Sequence, residues 1–199
     1  MSRLPQPAPG DLRLIVGPMF AGKTTALLEA VREAELSNKR TLLVTSALDT
    51  RYGTSVCATH AGQSRPAIAV QELLPLLVPQ TSPIDLDQVD LIAVDESQFF
   101  PDLKAFCLKA VEDMGKTVVV AGLNGDFQRN MFGDIVKLTP YADSVLMLQA
   151  RCSFCERPAP FTLRLVANDD QQLVGGKDAY QPVCRKHYRS LSKVRISCS

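Results

Sequence analysis

This sequence of 199 residues contains no apolar run approaching the roughly 20 residues that a transmembrane helix needs. It also lacks an excess of either charge, because 22 basic and 21 acidic residues leave a net charge of +1, too little for a global field that favours nucleic acid or anionic membranes. Residues 1–10 are rich in proline and lack the apolar segment of a signal peptide, so we expect a short disordered lead. We therefore expect a cytoplasmic protein that binds neither a membrane nor nucleic acid.

Histidine is scarce, with two residues in the chain, whereas six cysteines are present. Cys57, Cys107 and Cys198 are scattered, whereas Cys152 and Cys155 form a C-x-x-C pair. In a chain without a secretion signal, this distribution favours a metal site and free thiols over disulfides. The 46% of apolar and 22% of charged residues are ordinary for a protein with a core, and the length suits one domain, or one domain with a small appendage.

Apolar runs rich in β-branched residues alternate with segments of helical periodicity. The runs predict buried strands at 12–16, 41–45, 91–94 and 117–121, with a possible fifth at 144–148. Helices are predicted over 24–38 and from Pro101 to about Met114, where Gly115 ends the second one. Residues 46–66 show no clear period and are predicted to form a long loop. Strands alternating with helices imply crossovers and a parallel sheet buried on both faces, so we expect an α/β fold.

One segment, between the first predicted strand and the first predicted helix, fits the pattern G-x-x-x-x-G-K-[ST] in full. Its glycines allow backbone N–H groups to converge on a phosphate, where the helix N-terminus adds positive potential. Lys23 would reach the β- and γ-phosphates of a nucleoside triphosphate, and Thr24 would offer its hydroxyl to Mg²⁺. This phosphate loop predicts a bound triphosphate without fixing the reaction, and its residues are Gly17, Pro18, Met19, Phe20, Ala21, Gly22, Lys23 and Thr24.

Two adjacent acids, Asp95 and Glu96, follow the predicted strand 91–94. Asp95 fits the second Mg²⁺-holding position of phosphate-loop proteins, acting directly or through water. Glu96 could polarise a water molecule, as in an ATPase, or accept a proton from a substrate hydroxyl, as in a kinase. The residues alone leave both possibilities open.

Two short metal-binding patterns lie near the C-terminus, Cys152-x-x-Cys155 and Cys184-x-x-His187, with 28 residues between them. A Cys₃His set gives Zn²⁺ its four tetrahedral ligands and leaves no open position, so we expect a structural site. The metal would pin both ends of the 155–184 segment, which is too short to build its own core.

The character of the sequence changes after Gln149, and we place a domain boundary there. We expect a nucleotide-binding domain over 11–150, a zinc-binding domain over 151–190 and a flexible tail over 191–199. A zinc ribbon can also be a nucleic-acid module. Here acidic residues offset the basic ones in the segment, and no basic stripe is present.

Several segments in one order and spacing resemble the cytosolic thymidine kinase family. They extend from Leu14 to Tyr188 and read GPMFAGKT at 17–24, DTRY at 49–52, VDESQFFPD at 94–102, GLNGDFQR at 122–129, the C-x-x-C, and VGGKDAYQPVCRKHY at 174–188. The phosphate loop is shared with many proteins, whereas the other segments together are specific to this family. The resemblance implies a RecA-like, parallel-sheet nucleotide-binding domain with a small zinc-ribbon domain that forms a lasso.

The resemblance also implies a role for individual residues. Glu96 would be the catalytic base for the 5′-hydroxyl of thymidine. Asp95 and Asp49 would lie near Mg²⁺, and Arg51 would contact phosphates. Beyond the phosphate loop, the expected nucleotide-binding residues are therefore Asp49, Arg51, Asp95, Glu96, Ser97 and Gln98.

In the family, the stretch between the two metal-binding pairs forms a lasso over the nucleoside base. Backbone groups near Val174 and Gly175 would hold the base, with Tyr180 on the sugar side. Phe99 and Phe127 would offer aromatic contacts to the flat ring. The implied nucleoside-binding residues are Met19, Phe99, Leu123, Phe127, Thr162, Val174, Gly175 and Tyr180.

The resemblance further implies thymidine and ATP as substrates, Mg²⁺ and structural Zn²⁺ as metals, and inhibition by dTTP as the end product. It implies a homotetramer as well. Two other functions remain open from the residues alone: an ATPase or motor-like module, and a zinc-ribbon binding protein that uses nucleotide as a switch. The first would hydrolyse ATP without a nucleoside, and the second would bind nucleic acid with a steep salt dependence.

Overall fold

The computed structural model describes residues 10–49, 56–58, 64–80, 82–166, 170–171, 173 and 175–196. The described strands are β1 (Asp11–Gly17), β2 (Thr41–Ser46), β3 (Val56–Ala58), β4 (Ser64–Pro66), β5 (Ile68–Val70), β6 (Leu91–Val94), β7 (Thr117–Leu123), β8 (Ser144–Met147), β9 (Ala150–Arg151), β10 (Pro158–Ala159), β11 (Phe161–Arg164) and β12 (Tyr180–Val183). The α-helices are α1 (Lys23–Leu36), α2 (Leu103–Leu108) and α3 (Arg185–Ile196).

Six strands form one parallel sheet in the order β5-β2-β6-β7-β1-β8. The predicted α/β fold is confirmed. The strand that precedes the phosphate loop, β1, and the strand that precedes the acidic pair, β6, both pair with β7. Because the strands are parallel, their carboxyl ends meet at one edge of the sheet, where ligands of such sheets bind.

The sheet is buried on both faces, as the near-continuous apolar strands predict. Along β1, Leu12, Leu14 and Val16 pack into one core cluster, while Ile15 packs into the other. The first cluster lies against α2 and includes Phe106, and the second lies against α1 and includes Val31. The two helices thus hold the sheet, and the phosphate loop between β1 and α1, in a rigid three-layer arrangement.

Phe106→Ala is expected to lower the free energy of unfolding by about 3–5 kcal/mol, because Phe106 is fully buried and the substitution leaves a cavity. Chemical denaturation followed by circular dichroism measures this change. Leu36→Ala, at an exposed position of α1, should change stability by less than about 0.5 kcal/mol. Equal losses in the two variants would contradict the assignment of Phe106 to the core.

The segment 46–66, predicted as a long loop, contains more structure than its sequence indicates. β3 and β4 form an antiparallel pair within it, and β5 follows at the edge of the main sheet. Each of these strands has three residues, too few to show a period. The predicted helix that starts near Pro101 is α2, and it continues as a wider π-helical turn over Lys109–Asp113.

The C-terminal part has two antiparallel pairs, β9 with β10 and β11 with β12, followed by α3. Its small core contains two of the predicted zinc ligands: Cys152, Ala159, Leu163, Val183, Cys184 and Tyr188. Helix α3 continues to Ile196, so much of the predicted tail 191–199 is helical. The predicted lead lies outside the described residues apart from Gly10. Among the helices that the structure describes, none has the length and apolarity that crossing a membrane would require.

Candidate active site

The phosphate loop joins the end of β1 to the start of α1, as predicted. Gly22 lies at the N-terminus of α1 with φ of 84°, a left-handed conformation that favours glycine. The Nζ atom of Lys23 donates a hydrogen bond to the carbonyl of Pro18, 2.8 Å away, so the amine lies over the loop. The positive end of α1 and the Lys23 amine therefore face the same anion-binding position.

Thr24 and Asp95 meet, as a shared Mg²⁺ site requires. The Thr24 hydroxyl donates to Oδ2 of Asp95 at 2.9 Å, although the two residues are 71 positions apart. Asp95 follows β6 and is buried, and burial together with the charge of Glu96 raises its pKa. A hydroxyl and a carboxylate at the edge of a phosphate loop are the hard oxygen ligands that Mg²⁺ prefers, so these two residues fit the metal.

Cys57 is a site neighbour that the sequence did not reveal. Its thiol lies 3.1 Å from Oδ2 of Asp95 and donates to it. Burial raises the pKa of Cys57, and the negative charges of Asp95, Glu96 and Asp49 raise it further, so the group stays a neutral donor. Asp49 is therefore close enough to Cys57 for its charge to act on the thiol. Arg51 lies outside the described residues.

Glu96 has a strained backbone and a fixed side chain. Its φ of 50° is a left-handed conformation that costs a residue with a Cβ about 1–3 kcal/mol. The amide nitrogen of Gln98 donates to Oε2 of Glu96 at 2.6 Å, and the amide oxygen of Gln98 accepts the N–H of Leu123 at 3.0 Å. The Leu123 N–H fixes which end of the Gln98 amide faces Glu96, so the carboxylate is held in one orientation.

The turn that carries this arrangement packs closely on β7. A Cβ atom at Gly122 would lie 2.3 Å from the Ser97 hydroxyl and 2.9 Å from Oε1 of Gln98, so only glycine allows the approach. Ser97, predicted among the nucleotide-binding residues, is fully buried against Gly122. Ser97 is the first residue of the turn Ser97–Phe99, and its burial shows that it packs this turn against β7.

The predicted nucleoside-binding residues come from both parts of the chain. The N–H of Met19 in the phosphate loop donates to the hydroxyl of Thr162 on β11 at 3.0 Å, which brings the C-terminal part against the loop. The rings of Phe99 and Phe132 meet edge to face, with centroids 5.6 Å apart. Phe132 was not predicted, because an isolated aromatic residue in a loop gives no sequence signal.

Phe127 and Tyr180 are joined by a residue that lies between them. The guanidinium of Arg164 stacks over the Phe127 ring at 3.8 Å and donates to the Tyr180 hydroxyl at 2.7 Å. Gly175 approaches Ala179 so closely that a Cβ atom there would lie 2.6 Å from the Ala179 Cβ. Val174 lies outside the described residues.

The four predicted zinc ligands converge. Their Sγ and Nδ1 atoms all lie within 4.8 Å of one another, with Cys155 and Cys184 sulfurs 3.8 Å apart and His187 Nδ1 between 3.3 and 3.7 Å from the three sulfurs. Zn–S and Zn–N bonds of about 2.3 and 2.1 Å in a tetrahedron would space the ligands by about 3.6–3.8 Å. The cluster therefore fits a closed structural Zn²⁺ site.

Two contacts tune and anchor this cluster. Hydrogen bonds from the backbone and side chain of Arg157 help to lower the pKa of Cys155 to about 7, which favours the thiolate that binds metal. One residue after His187, the Tyr188 hydroxyl donates to the Phe127 carbonyl at 2.7 Å. The metal cluster is thus connected directly to the loop that carries a predicted pocket residue.

Comparison with known proteins agrees with this geometry. Residues 10–188 match the family model described as "Thymidine kinase". The chain is 49% identical to the rice protein named "Thymidine kinase" over 181 residues, which cover 90% of this chain and 66% of the relative. It is 40% identical to the human "Thymidine kinase, cytosolic" over 184 residues, covering 92% of this chain and 75% of the relative.

The chain belongs to the thymidine kinase family. Members of the family are phosphotransferases that act on thymidine, and the Arabidopsis "Thymidine kinase a" is a further relative, 43% identical over 94% of this chain and 79% of its own length. The resemblance inferred from the sequence segments is confirmed. This chain spans about two thirds of the length of the rice relative.

Proposed function

We propose that this chain transfers the γ-phosphate of ATP to the 5′-hydroxyl of thymidine, and of deoxyuridine, in pyrimidine salvage. The observation that carries the proposal is the contact between Thr24 and Asp95. It brings the phosphate loop to within one residue of Glu96, and the Met19–Thr162 contact brings the C-terminal part to the same loop. These two contacts support a proposed arrangement in which a triphosphate site, a carboxylate and a covering segment meet at one edge of the sheet.

In the proposed mechanism, ATP lies on the phosphate loop with Lys23 at its β- and γ-phosphates. Glu96 accepts the proton of the nucleoside 5′-hydroxyl as the phosphoryl group transfers in line. Lys23 and Arg51 stabilise the charge on the transferring oxygens. Mg²⁺, which Thr24 and Asp95 would hold, neutralises phosphate charge when it is bound.

The lasso between the two metal-binding pairs covers the nucleoside in this proposal. Closing it over thymidine excludes water and limits wasteful hydrolysis of ATP. The Cys₃His cluster contributes by fixing both ends of the lasso, with Zn²⁺ as a structural ion. Phe127, Tyr180 and Thr162 surround the base and sugar.

Thymidine-dependent consumption of ATP tests the proposal. Labelled ATP is incubated with the chain, with and without thymidine, and the products are separated. With thymidine we expect labelled thymidine monophosphate. Without thymidine we expect little free phosphate. Free phosphate formed at the same rate without any nucleoside would favour an ATPase. Tight binding of nucleic acid with a steep salt dependence would favour a zinc-ribbon binding protein.

We also propose that dTTP inhibits the enzyme and that the chain works in the cytoplasm, the compartment named for its human relative. A molecule that carries both a thymine and a triphosphate can occupy the nucleoside pocket and reach toward the phosphate loop. Inhibition by dTTP should therefore be competitive with thymidine. Steady-state rates at several thymidine concentrations measure this pattern.

A homotetramer is the proposed assembly. Strand β8 is an edge of the sheet, and its apolar residues Val145, Leu146 and Met147 are all substantially exposed. An apolar edge without charged residues is prone to pair with another chain. Light scattering coupled to gel filtration should give four times the monomer mass. Leu146→Lys should lower that mass, and a monomer in the unaltered protein would contradict the proposal.

A further inference from the structure

Arg164, on β11, is the most buried charged residue that the structure describes, with 1% of its surface exposed. Neither the sequence segments that carry the family resemblance nor the proposed chemistry uses it. Burying a guanidinium is costly unless its hydrogen bonds and contacts are supplied by the protein. Its surroundings therefore indicate what the residue does.

The guanidinium of Arg164 donates hydrogen bonds to several residues of the lasso. One terminal nitrogen donates to the carbonyl of Asp170, and the other donates to the carbonyl of Gln171 at 3.1 Å and to the Tyr180 hydroxyl at 2.7 Å. The Tyr180 hydroxyl in turn donates to the carbonyl of Leu173 at 2.8 Å. Lasso carbonyls at 170, 171 and 173 are thus held, directly or through Tyr180, by one side chain.

The same guanidinium orders an aromatic ring of the nucleotide-binding domain. Its carbon lies 3.8 Å from the centroid of Phe127 and 5.2 Å from that of Tyr180. A planar cation over an aromatic face is favourable, and more so when both groups are shielded from water. One face of the Phe127 ring is therefore occupied by Arg164, which limits the positions that the ring can adopt.

A second set of hydrogen bonds joins the lasso to the loop that contains Asp126 and Met131. The side-chain amide of Gln171 donates to Oδ2 of Asp126 at 2.9 Å and to the carbonyl of Met131 at 3.3 Å. Asp126 is buried, and its other oxygen accepts the N–H groups of Gln128 and Asn130, which fixes the turn that carries Phe127. Arg164 and Asp126 therefore hold the lasso and the Phe127 turn in one relative position.

We propose that Arg164 is a positioning residue of the nucleoside pocket, whose guanidinium joins the lasso carbonyls at 170, 171 and 173, Tyr180 and Phe127 into one preorganised wall. The inference rests on the proposed function, because the wall has a substrate only if a nucleoside binds there. Preorganisation lowers the ordering cost of binding, so losing it weakens nucleoside binding more than ATP binding. Lysine cannot replace this arginine, because an ammonium lacks the planar fork that bonds several oxygens while stacking on a ring.

The test compares Arg164→Lys with Arg32→Lys, an equivalent substitution at an exposed position of α1. Zinc content and thermal unfolding are measured first, followed by KM and kcat for thymidine and for ATP in the full chain. Because Arg164→Lys loses hydrogen bonds made by a charged group, we expect its KM for thymidine to rise by about tenfold or more. We expect KM for ATP to change less than about twofold and Arg32→Lys to match the unaltered protein.

Each outcome decides the inference separately from the proposed function. If the unaltered chain does not phosphorylate thymidine, the proposed function fails. If it does, and folded Arg164→Lys keeps its KM for thymidine or loses thymidine and ATP affinity equally, the positioning role is wrong. If Arg164→Lys does not fold, Tyr180→Phe decides, because it removes only the hydroxyl that links Arg164 to Leu173. An unchanged KM for thymidine in that variant overturns the inference.

Discussion

Glu96→Gln is expected to lower kcat for thymidine phosphorylation by about 10²–10⁴-fold, the usual contribution of a general base. The substitution keeps the size of the side chain and its place beside Gln98, but an amide cannot accept the proton of the 5′-hydroxyl. ATP binding should persist, because the phosphate loop, Lys23 and Thr24 are unaltered. Single-turnover rates and a separate titration with a fluorescent ATP analogue measure the two effects.

The matched control for this prediction is Glu33→Gln, which makes the same chemical change at an exposed position of α1. It should leave both kcat and ATP affinity unchanged within about twofold. Turnover by Glu96→Gln at the rate of the control would rule out the base assignment. Loss of ATP binding in Glu96→Gln would instead mean that the residue acts on the nucleotide.

The features that the sequence predicted well are those defined by short runs or fixed short spacings of residues. The strand Leu91–Val94 was predicted with its observed bounds, because a strand buried on both faces is a short apolar run and Asp95 ends it. The phosphate loop is defined by fixed spacings between β1 and α1, and the zinc ligands by two pairs of fixed spacing. In each case the geometry of a single strand, loop or ligand pair determines the spacing of its residues.

Features that depend on distant contacts were not predicted. β5 is a strand because it pairs with β2, and its three residues carry no pattern of their own. Cys57 reaches Asp95 across 38 positions, and nothing around it in the sequence indicates a buried hydrogen bond to a carboxylate. Arg164 is the last residue of β11 and lies between Leu163 and Leu165 in the sequence, a pattern that suits an exposed arginine equally well. Only the assembled fold shows that its surroundings are aromatic rings and lasso carbonyls.

The contacts of the candidate site join the two parts of the chain. The N-terminal part supplies the phosphate loop and Glu96, while Thr162, Tyr180 and Arg164 come from the C-terminal part. Hydrogen bonds from Met19 to Thr162 and from Tyr188 to Phe127 cross between them. The contact from Tyr188 starts one residue after the predicted zinc ligand His187, so we expect the order of the proposed pocket to depend on the order of the metal cluster.

Cys184→Ser is expected to abolish zinc binding and to lower thymidine phosphorylation by about a hundredfold or more. Structural Zn²⁺ contributes about 10 kcal/mol or more to the folding of small metal-binding units, so a cluster with three good ligands loses most of that stabilisation. Without it, β12 and α3 lose their shared anchor, and the lasso, Tyr180 and Tyr188 lose their positions. Metal analysis of the purified variant and its rate with saturating ATP measure the two losses.

The control is Cys107→Ala, which removes a thiol that has no part in the cluster. Burial raises the pKa of Cys107 to about 12, so this thiol stays protonated and is inert as a metal ligand. The variant should keep its zinc and most of its activity, with a modest loss of stability from the small cavity. Binding of the ATP analogue should survive in both variants, because the sheet and α1 have their own core. Full activity in zinc-free Cys184→Ser would show that the lasso does not need the metal, and the coupling between cluster and pocket would be wrong.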